Sequence, residues 1–252
     1  MTTRYLYIMG AGSGAGKSTV CLGILAQLLA SGYAAEQLAY IKPVTQCIAK
    51  QPVALFCEHN KIACVDIGAL VFKKGFSRDF IAGLTKPAAQ LLTEVIASIL
   101  SIGKDKSVVV IDGIGHPAVG SVVGVSNVDV ALALPCKVVF VSNPGIGAAI
   151  DNTVLCVSFM QYKGLTDIGI IYNNIPLNAY ADIKTQLTKR LPELLPTIPL
   201  LGFIGADEED ATGVLDNIDE NNAQGFSAYV DRKTLLCDWF GLTDVYKNLT
   251  AV

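Results

Sequence analysis

Charge is scarce in this chain: Asp, Glu, Lys and Arg together make up 16% of its 252 residues, where about a quarter is ordinary. Hydrophobic residues make up 52%. Either a membrane or a deeply buried core must account for such a composition. The longest stretch without charge, residues 18–35, carries Ser18, Thr19, Gln27, Ser31 and Gly32. A spanning helix needs about 20 predominantly apolar residues, so no membrane segment is expected. The opening MTTRYLYIMGAG has one Arg and a short apolar run, too little for a signal peptide. Disorder is excluded too, because so apolar a chain buries ample surface. What remains is a parallel sheet covered on both faces, whose strands read as unbroken apolar runs.

Other shortages narrow the function. Two histidines, His59 and His116, are too few for a histidine-based metal cluster. The seven cysteines are odd in number and contain no CxxC, which argues against a disulfide framework or a zinc site. Reduced, buried thiols and a cytoplasmic location are expected. Internal repeats are lacking. A basic excess is lacking too: the net charge is −3, which argues against nucleic-acid binding. The charge is uneven, since residues 1–204 hold 16 basic and 12 acidic residues, while residues 205–252 hold 3 and 10. The mildly basic body suits an anionic small molecule. The acidic run DEEDATGVLDNIDENN (207–222) reads as a solvated loop.

Apolar runs alternate with helical patterns along the chain. Strands are expected at 4–9, 38–44, 108–112, 137–142, 167–173 and 198–204. Helices are expected over Ser18–Ser31, Ala88–Ile102, Ile150–Tyr162 and Tyr180–Leu191, with a final one over Asn221–Phe240. Residues 47–80 read as an excursion from the sheet with one short strand near IGALVF. This alternation indicates βαβ units, hence an α/β fold with a mostly parallel sheet and helices on both faces. The length fits a single domain, with a core over 1–206 and an acidic segment with a C-terminal helix over 207–252 packing on it.

The sharpest motif is MGAGSGAGKST (9–19), which follows a strand and opens a helix. That is the context a P-loop requires. The strict pattern places a glycine where Ala11 stands, with Gly10 one residue earlier. Gly12, Gly14 and Gly16 allow the backbone to curl so that successive N–H groups face an anion. The helix N-terminus adds its partial positive charge. Lys17 reaches the β- and γ-phosphates, and the Ser18 hydroxyl can ligate Mg²⁺. Residues Gly12, Ser13, Gly14, Ala15, Gly16, Lys17, Ser18 and Thr19 form the expected phosphate cradle, and Gly32 suits the end of the helix.

Two further charges stand at strand ends. Lys42 closes LAYIKPV, and ligands of open parallel sheets sit at the carboxyl ends of strands. A second lysine there suits phosphoryl transfer, where charge spreads over the moving oxygens; alone, it is an ordinary strand-end lysine. Asp112 ends VVVID beside the P-loop strand, the place for a second Mg²⁺ contact. An Asp before DGIGHPAVG could equally cap the turn. His116, in that loop, can contact phosphate or serve a structural hydrogen bond.

Together GAGSGAGKST, YIKPV, VVVIDGIGH, IIYNNI and IPLLGFI resemble dethiobiotin synthetase and its relatives, over roughly residues 4–206 in motif order. GIGHPAVGSVVGVSNVDVALAL and VSNPGIGAAID are more similar still to the dethiobiotin-synthetase-like N-terminal domain of long phosphotransacetylases. The resemblance implies a seven-stranded P-loop domain, ATP and Mg²⁺ as cofactors, and a homodimer. Carried onto this chain, Lys17 and Lys42 stabilise the transferring phosphoryl group. Ser18 and Asp112 hold Mg²⁺, with Asp66 as a third ligand. Asn173 reads the adenine edge, with Asn174 its competitor, and Leu201 to Ile204, including Gly202, line the base pocket.

The departures lie on the substrate side. Thr45, Gln46 and Cys47 stand where the synthetases carry a small Ser/Thr-Gly segment. His116 and Pro117 replace glycines of their Glu-Gly-Ala-Gly-Gly loop, and Asp112 is a methylene shorter than its Glu. Two functions are therefore expected to compete. One is an ATP-dependent ligase-type phosphoryl transfer to a small carboxylate or carbamate. The other is a nucleotide-binding regulatory or sensor module without ring-closing activity. Partition and division-site ATPases carry a signature lysine where Gly12 stands, and cobyrinic acid amide synthetases need a glutaminase domain; both are set aside.

Overall fold

The computed structural model describes residues 2–46, 48 and 50–206. In chain order the elements are β1 (Arg4–Gly10), α1 (Lys17–Ala30), β2 (Leu38–Ile41), β3 (Val44–Thr45), α2 (Pro52–His59), β4 (Ala63–Val65), β5 (Leu70–Val71) and α3 (Phe76–Ile81). They continue with α4 (Ala88–Ile102), β6 (Val108–Asp112), α5 (Asn127–Leu132), β7 (Cys136–Ser142), α6 (Gly147–Tyr162), β8 (Ile168–Ile175), α7 (Tyr180–Leu194) and β9 (Leu200–Gly205). Seven strands form one sheet in the order β4-β2-β6-β1-β7-β8-β9. Every neighbouring pair in it is parallel. The chain runs from β1 outward in both directions, so a crevice opens beside β1 at the strands' carboxyl ends.

Alternation along each strand divides the core in two. Tyr7, Met9, Val109, Ile111, Val138 and Phe140 face one side, packed with residues of α4, α5, α6 and α7. Leu6, Ile8, Val108, Val110, Val139 and Val141 face the other, packed with α1 and α2. With both faces covered, neither set of side chains meets water, which is why the strands lack polar alternation. Helix α1 buries Val20, Cys21, Leu22, Gly23, Ile24, Leu25, Gln27 and Leu28. A helix enclosed on most sides has no face for charge, and this one carries none beyond Lys17. No helix among the described residues is long and apolar enough to cross a membrane.

Three expectations need correction. The run 38–44 is not one strand: β2 stops at Ile41, where the Lys42 amide makes a last ladder bond to the Val65 carbonyl (2.8 Å) and Pro43 has no amide to continue it. Val44 and Thr45 instead pair with Leu70 and Val71 in a separate two-stranded sheet. Residues 47–80 are more than an excursion, since β4 returns to edge the main sheet beside β2 and α2 packs over it. The short α3 and α5 were not anticipated. Six residues each are too few to display a helical period. The expected helix 221–240 and the segment 207–252 lie outside the described residues.

Leu25 is fully buried between α1 and the sheet. Leu25→Ala is expected to cost about 2–5 kcal/mol, read as a lower urea midpoint with an unchanged slope. Leu155→Ala, at a side chain 69% exposed, is the control and should stay within about 0.5 kcal/mol.

Candidate functional site

Strand alternation places the charged groups. Val108 and Val110 face α1, so Asp112, two further on, faces it too. Tyr40 faces the same side from β2, and Lys42 follows it by two. Ser18 lies in the first turn of α1, directly over these strand ends. Three donors, from α1, from β2 and from the residue that follows β2, therefore converge on one oxygen. Asp112 Oδ2 accepts from Ser18 Oγ at 2.9 Å, from the Tyr40 hydroxyl at 2.9 Å and from Lys42 Nζ at 3.2 Å. Asp112 itself is 0% exposed, and its Oδ1 has no hydrogen-bond partner.

Above this carboxylate the loop between β1 and α1 opens onto a cavity of about 380 Å³. The cavity is lined by Ser13, Gly14, Gly16, Lys17, Ser18 and Thr19 on the loop side. Lys42, Thr45, Gln46 and Gln51 line a second side, and Gly113 to Gly115 a third. Lys17 curls back, its Nζ donating to the Gly12 carbonyl at 2.8 Å. Burial pulls its ammonium below the ordinary lysine range; Asp112 opposes that pull and Lys42 reinforces it. A cation so held is costly until an anion arrives. The free amides at the start of α1, the helix dipole and two lysines on one cavity make a cradle for a phosphate chain.

The glycines divide the work unevenly. Gly16 alone of the three named in the loop has a left-handed φ, +78°, and a Cβ there would lie 2.1 Å from Asn173 Nδ2. At Gly12 and Gly14 a Cβ would meet no protein atom within 4 Å. Their lack of a side chain keeps the cavity side of the loop open rather than relieving a protein contact.

A hard divalent cation fits the donor set. Ser18 supplies a hydroxyl and Asp112 a carboxylate with one uncommitted oxygen, both of the oxygen type that Mg²⁺ takes. Asp66 is not brought to them. It follows β4, two strands from β6, is half-buried and does not line the cavity. No group of three His, Cys, Asp or Glu side chains among the described residues could hold a metal by itself.

The late strands are placed differently from one another. Asn173 is 1% exposed and sits under the loop, its Nδ2 donating to the Ala15 carbonyl at 3.0 Å. Its Oδ1 has no partner. Asn174 is exposed with φ +56°, at an irregularity where the pairing of β8 with β9 shifts register. Leu201 packs its side chain over Gly169 in the core and does not line the cavity. Gly202 pairs with Ile171 within the sheet. His116 is exposed and outside the cavity lining, and its carbonyl, not its ring, is engaged by Asn127. Cys47 lies outside the described residues.

Sequence reasoning missed two residues. Tyr40 shares the parity of Lys42, a signal that was available. Asn127 is less obvious: from the first turn of α5 its side chain donates to the carbonyls of Ile114 (2.6 Å) and His116 (2.8 Å) and accepts from the Ile114 amide (3.1 Å) and the Tyr7 hydroxyl (3.2 Å). It thereby shapes the cavity wall after Asp112. Its only local sign is the Ser126–Asp129 capping box around it.

Comparison with known proteins follows the same lines. The AAA_26 family, described as an AAA domain, matches residues 4–208. The ATP-dependent dethiobiotin synthetase BioD of Corynebacterium diphtheriae is 30% identical over 113 residues, 45% of this chain and 50% of that protein. The match thus spans about half the length of that curated relative. Among solved structures, a putative plasmid partition protein from Borrelia burgdorferi B31 bound to AMPPNP superposes with TM-score 0.61 at 17% identity, over 94% of this chain and 99% of that one. The MinC:MinD cell division protein complex of Aquifex aeolicus gives 0.59 at 13% identity, over 99% and 97%. At such identities the likeness is one of fold.

Gly16→Ala tests the packing under the loop. It forces a left-handed alanine against Asn173 and is expected to cost more than about 1 kcal/mol. A lower melting temperature will show it, whereas Gly14→Ala, which meets no protein atom, should melt near wild type.

Proposed function

The chain belongs to the AAA_26 family of AAA domains, a dethiobiotin-synthetase-like P-loop family, and on that premise we propose that it binds ATP with Mg²⁺ and transfers the γ-phosphoryl group to a small carboxylate or carbamate. The observation that carries this reading is the convergence of Lys17 and Lys42 on one cavity, with Asp112 beneath them. A single loop lysine suffices to hold a nucleotide. A second one on the opposite wall suits an acceptor oxyanion facing the γ-phosphate, where charge develops during transfer.

The roles follow from position. The amides of Gly14 to Thr19 and the Lys17 ammonium take the β- and γ-phosphates. Ser18 and Asp112 would hold Mg²⁺, which would neutralise charge on the phosphate oxygens. Lys42 leaves Asp112 Oδ2 for the transferring group, while Tyr40 and Ser18 keep that oxygen occupied. Asn173 Oδ1, buried without a partner, suits the exocyclic amine of adenine. The AMPPNP in the Borrelia protein of the same fold supports an adenine nucleotide. Thr45, Gln46 and Gln51 face the acceptor. The acceptor is a small molecule, and neither nucleic acid nor a membrane is a partner. The five described cysteines, all free thiols, are consistent with a cytoplasmic protein, and the family resemblance with a homodimer built from one domain per chain.

A regulatory or sensor module is the second reading. The observation favouring it is the DGIGHPAVG loop, held in place by Asn127 and unlike the glycine-rich substrate loop of the synthetases.

Incubation of the purified protein with Mg-ATP, bicarbonate and diaminopelargonate, followed by assay for ADP and dethiobiotin, separates the readings. Acceptor-dependent ADP release supports transfer, with ring product marking the synthetase itself. ATP binding without ADP release, for this or any small carboxylate, sinks transfer and leaves the sensor. Under the transfer reading Lys42→Ala lowers turnover by about 10²-fold or more with little change in ATP affinity. Under the sensor reading it weakens binding alone.

Proton linkage gives a further check. The Lys17 pKa is lowered in the folded, ligand-free chain, so the unfolded chain holds that proton more tightly. Stability therefore rises with pH between the lowered value and the ordinary 10.5. A bound phosphate chain recharges Lys17, so nucleotide binding takes up a proton in that alkaline window. Titration calorimetry in two buffers of different ionisation enthalpy will register the uptake, and Lys17→Met should abolish it.

A further inference from the structure

Beside the nucleotide cavity, on the far side of β2, two cysteines lie on a helix and a strand that pack together. Cys57, on α2, is 0% exposed, and Cys64, on β4, is half-buried against the same core cluster. α2 packs directly on β4, so the two thiols share one packing region. The turn joining their elements is tight: the Ile62 amide donates to the Cys57 carbonyl at 2.8 Å. The transfer mechanism uses neither sulfur.

Both elements touch the cavity. Gln51, immediately before α2, lines it. Val65, immediately after Cys64, holds the Lys42 amide at 2.8 Å. Cys64 is also the direct partner of Tyr40 in the β2–β4 pairing, and Tyr40 holds Asp112. A change in the distance between α2 and β4 is therefore felt at Gln51, at the Lys42 backbone and at the tyrosine clamping the carboxylate.

We propose that Cys57 and Cys64 form an oxidisable dithiol, closed to an intramolecular disulfide by a small disulfide compound, and that closure weakens nucleotide binding at the adjacent cavity. The second half of this inference rests on the proposed nucleotide site; the first does not. The chemistry balances as thiol–disulfide exchange. The Cys64 thiolate attacks one sulfur of the reagent, breaking its S–S bond and releasing one thiolate. Cys57 then attacks Cys64 Sγ, releasing the second, and its proton goes to the leaving thiolate. One reagent disulfide is reduced to two thiols as the protein dithiol is oxidised. Cys64 is the entry point because it is the more exposed of the two.

The test uses the full chain, reduced, then exposed to oxidised glutathione and quenched with N-ethylmaleimide. Trypsin cuts after Lys50, Lys61 and Lys73, placing Cys57 alone in peptide 51–61 and Cys64 alone in 62–73. The expected product is these two peptides joined, separated again by dithiothreitol. Mg-ATP affinity, read with a fluorescent ATP analogue, should fall on the order of tenfold on oxidation, an ordinary coupling between sites, and return on reduction. Cys64→Ser and Cys57→Ser should each abolish the linkage and make affinity indifferent to the oxidant. Glutathione retained on Cys64 without linkage, or linkage to another cysteine, overturns the dithiol. Linked peptides with unchanged affinity overturn its coupling to the cavity. A reduced protein that binds no ATP overturns the nucleotide reading, while the peptide linkage still decides the dithiol.

Discussion

One oxygen atom, Asp112 Oδ2, organises the site. It is buried, charged and bonded by Ser18, Tyr40 and Lys42, which come from the first turn of α1, from β2 and from the residue after β2. An unpaired buried carboxylate would cost several kcal/mol. Three donors, one of them cationic, offset that cost and in doing so fix two elements, α1 and β2, relative to β6. The helix that carries the phosphate loop, the strand that carries the second lysine and the strand that carries the acid cannot shift independently. The clamp holds this geometry, in which Lys42 is committed to Asp112.

A second constraint acts from the other side of β1. Asn173 rises from β8 to bond the Ala15 carbonyl, while Gly16 passes so close above it that no side chain fits. The loop is thus held between Asp112 and Asn173, on strands β6 and β8 that lie on opposite sides of β1. From α6, Asn152 adds a longer contact to the Ala11 carbonyl at 3.4 Å. Preorganisation of this kind removes part of the ordering cost that a flexible loop would meet on binding. The wall after Asp112 is shaped in turn by Asn127, whose bonds to Ile114 and His116 engage backbone rather than side chains. The His116 carbonyl is one of those bonded groups, and its exposed ring does not line the cavity.

Much of this was legible in the sequence. The scarcity of charge pointed to a doubly covered sheet, and both faces of β1, β6 and β7 are covered. The P-loop, Lys42 and Asp112 stood at strand ends and do meet at one edge. Ala88–Ile102 was expected as a helix and is one over those same residues, because its apolar positions keep a clear 3.6-residue period. Residues 47–80 were poorly legible because strands of two or three residues carry almost no period. Asp66 and Leu201 were assigned through the family resemblance; Asp66 follows the edge strand β4 and is not among the residues that line the cavity, and Leu201 packs in the core. A motif gives order along the chain, whereas a ligand set requires that side chains converge.

By itself the sequence determined the local and the periodic: which runs become strands, which glycine-rich turn can hold phosphate, and which scarce charges fall at strand ends. These follow from side-chain volume, backbone freedom and alternation, all properties of near neighbours in the chain. Tertiary structure alone decided which groups share an atom. Ser18 and Asp112 are 94 residues apart, Tyr40 and Asp112 are 72 apart, and Asn173 and Ala15 are 158 apart. Their meeting depends on strand order, since β6 inserts between β1 and β2 although it follows both in the chain. Sheet order is settled by the packing of whole faces against helices, a global balance that no short window of sequence contains.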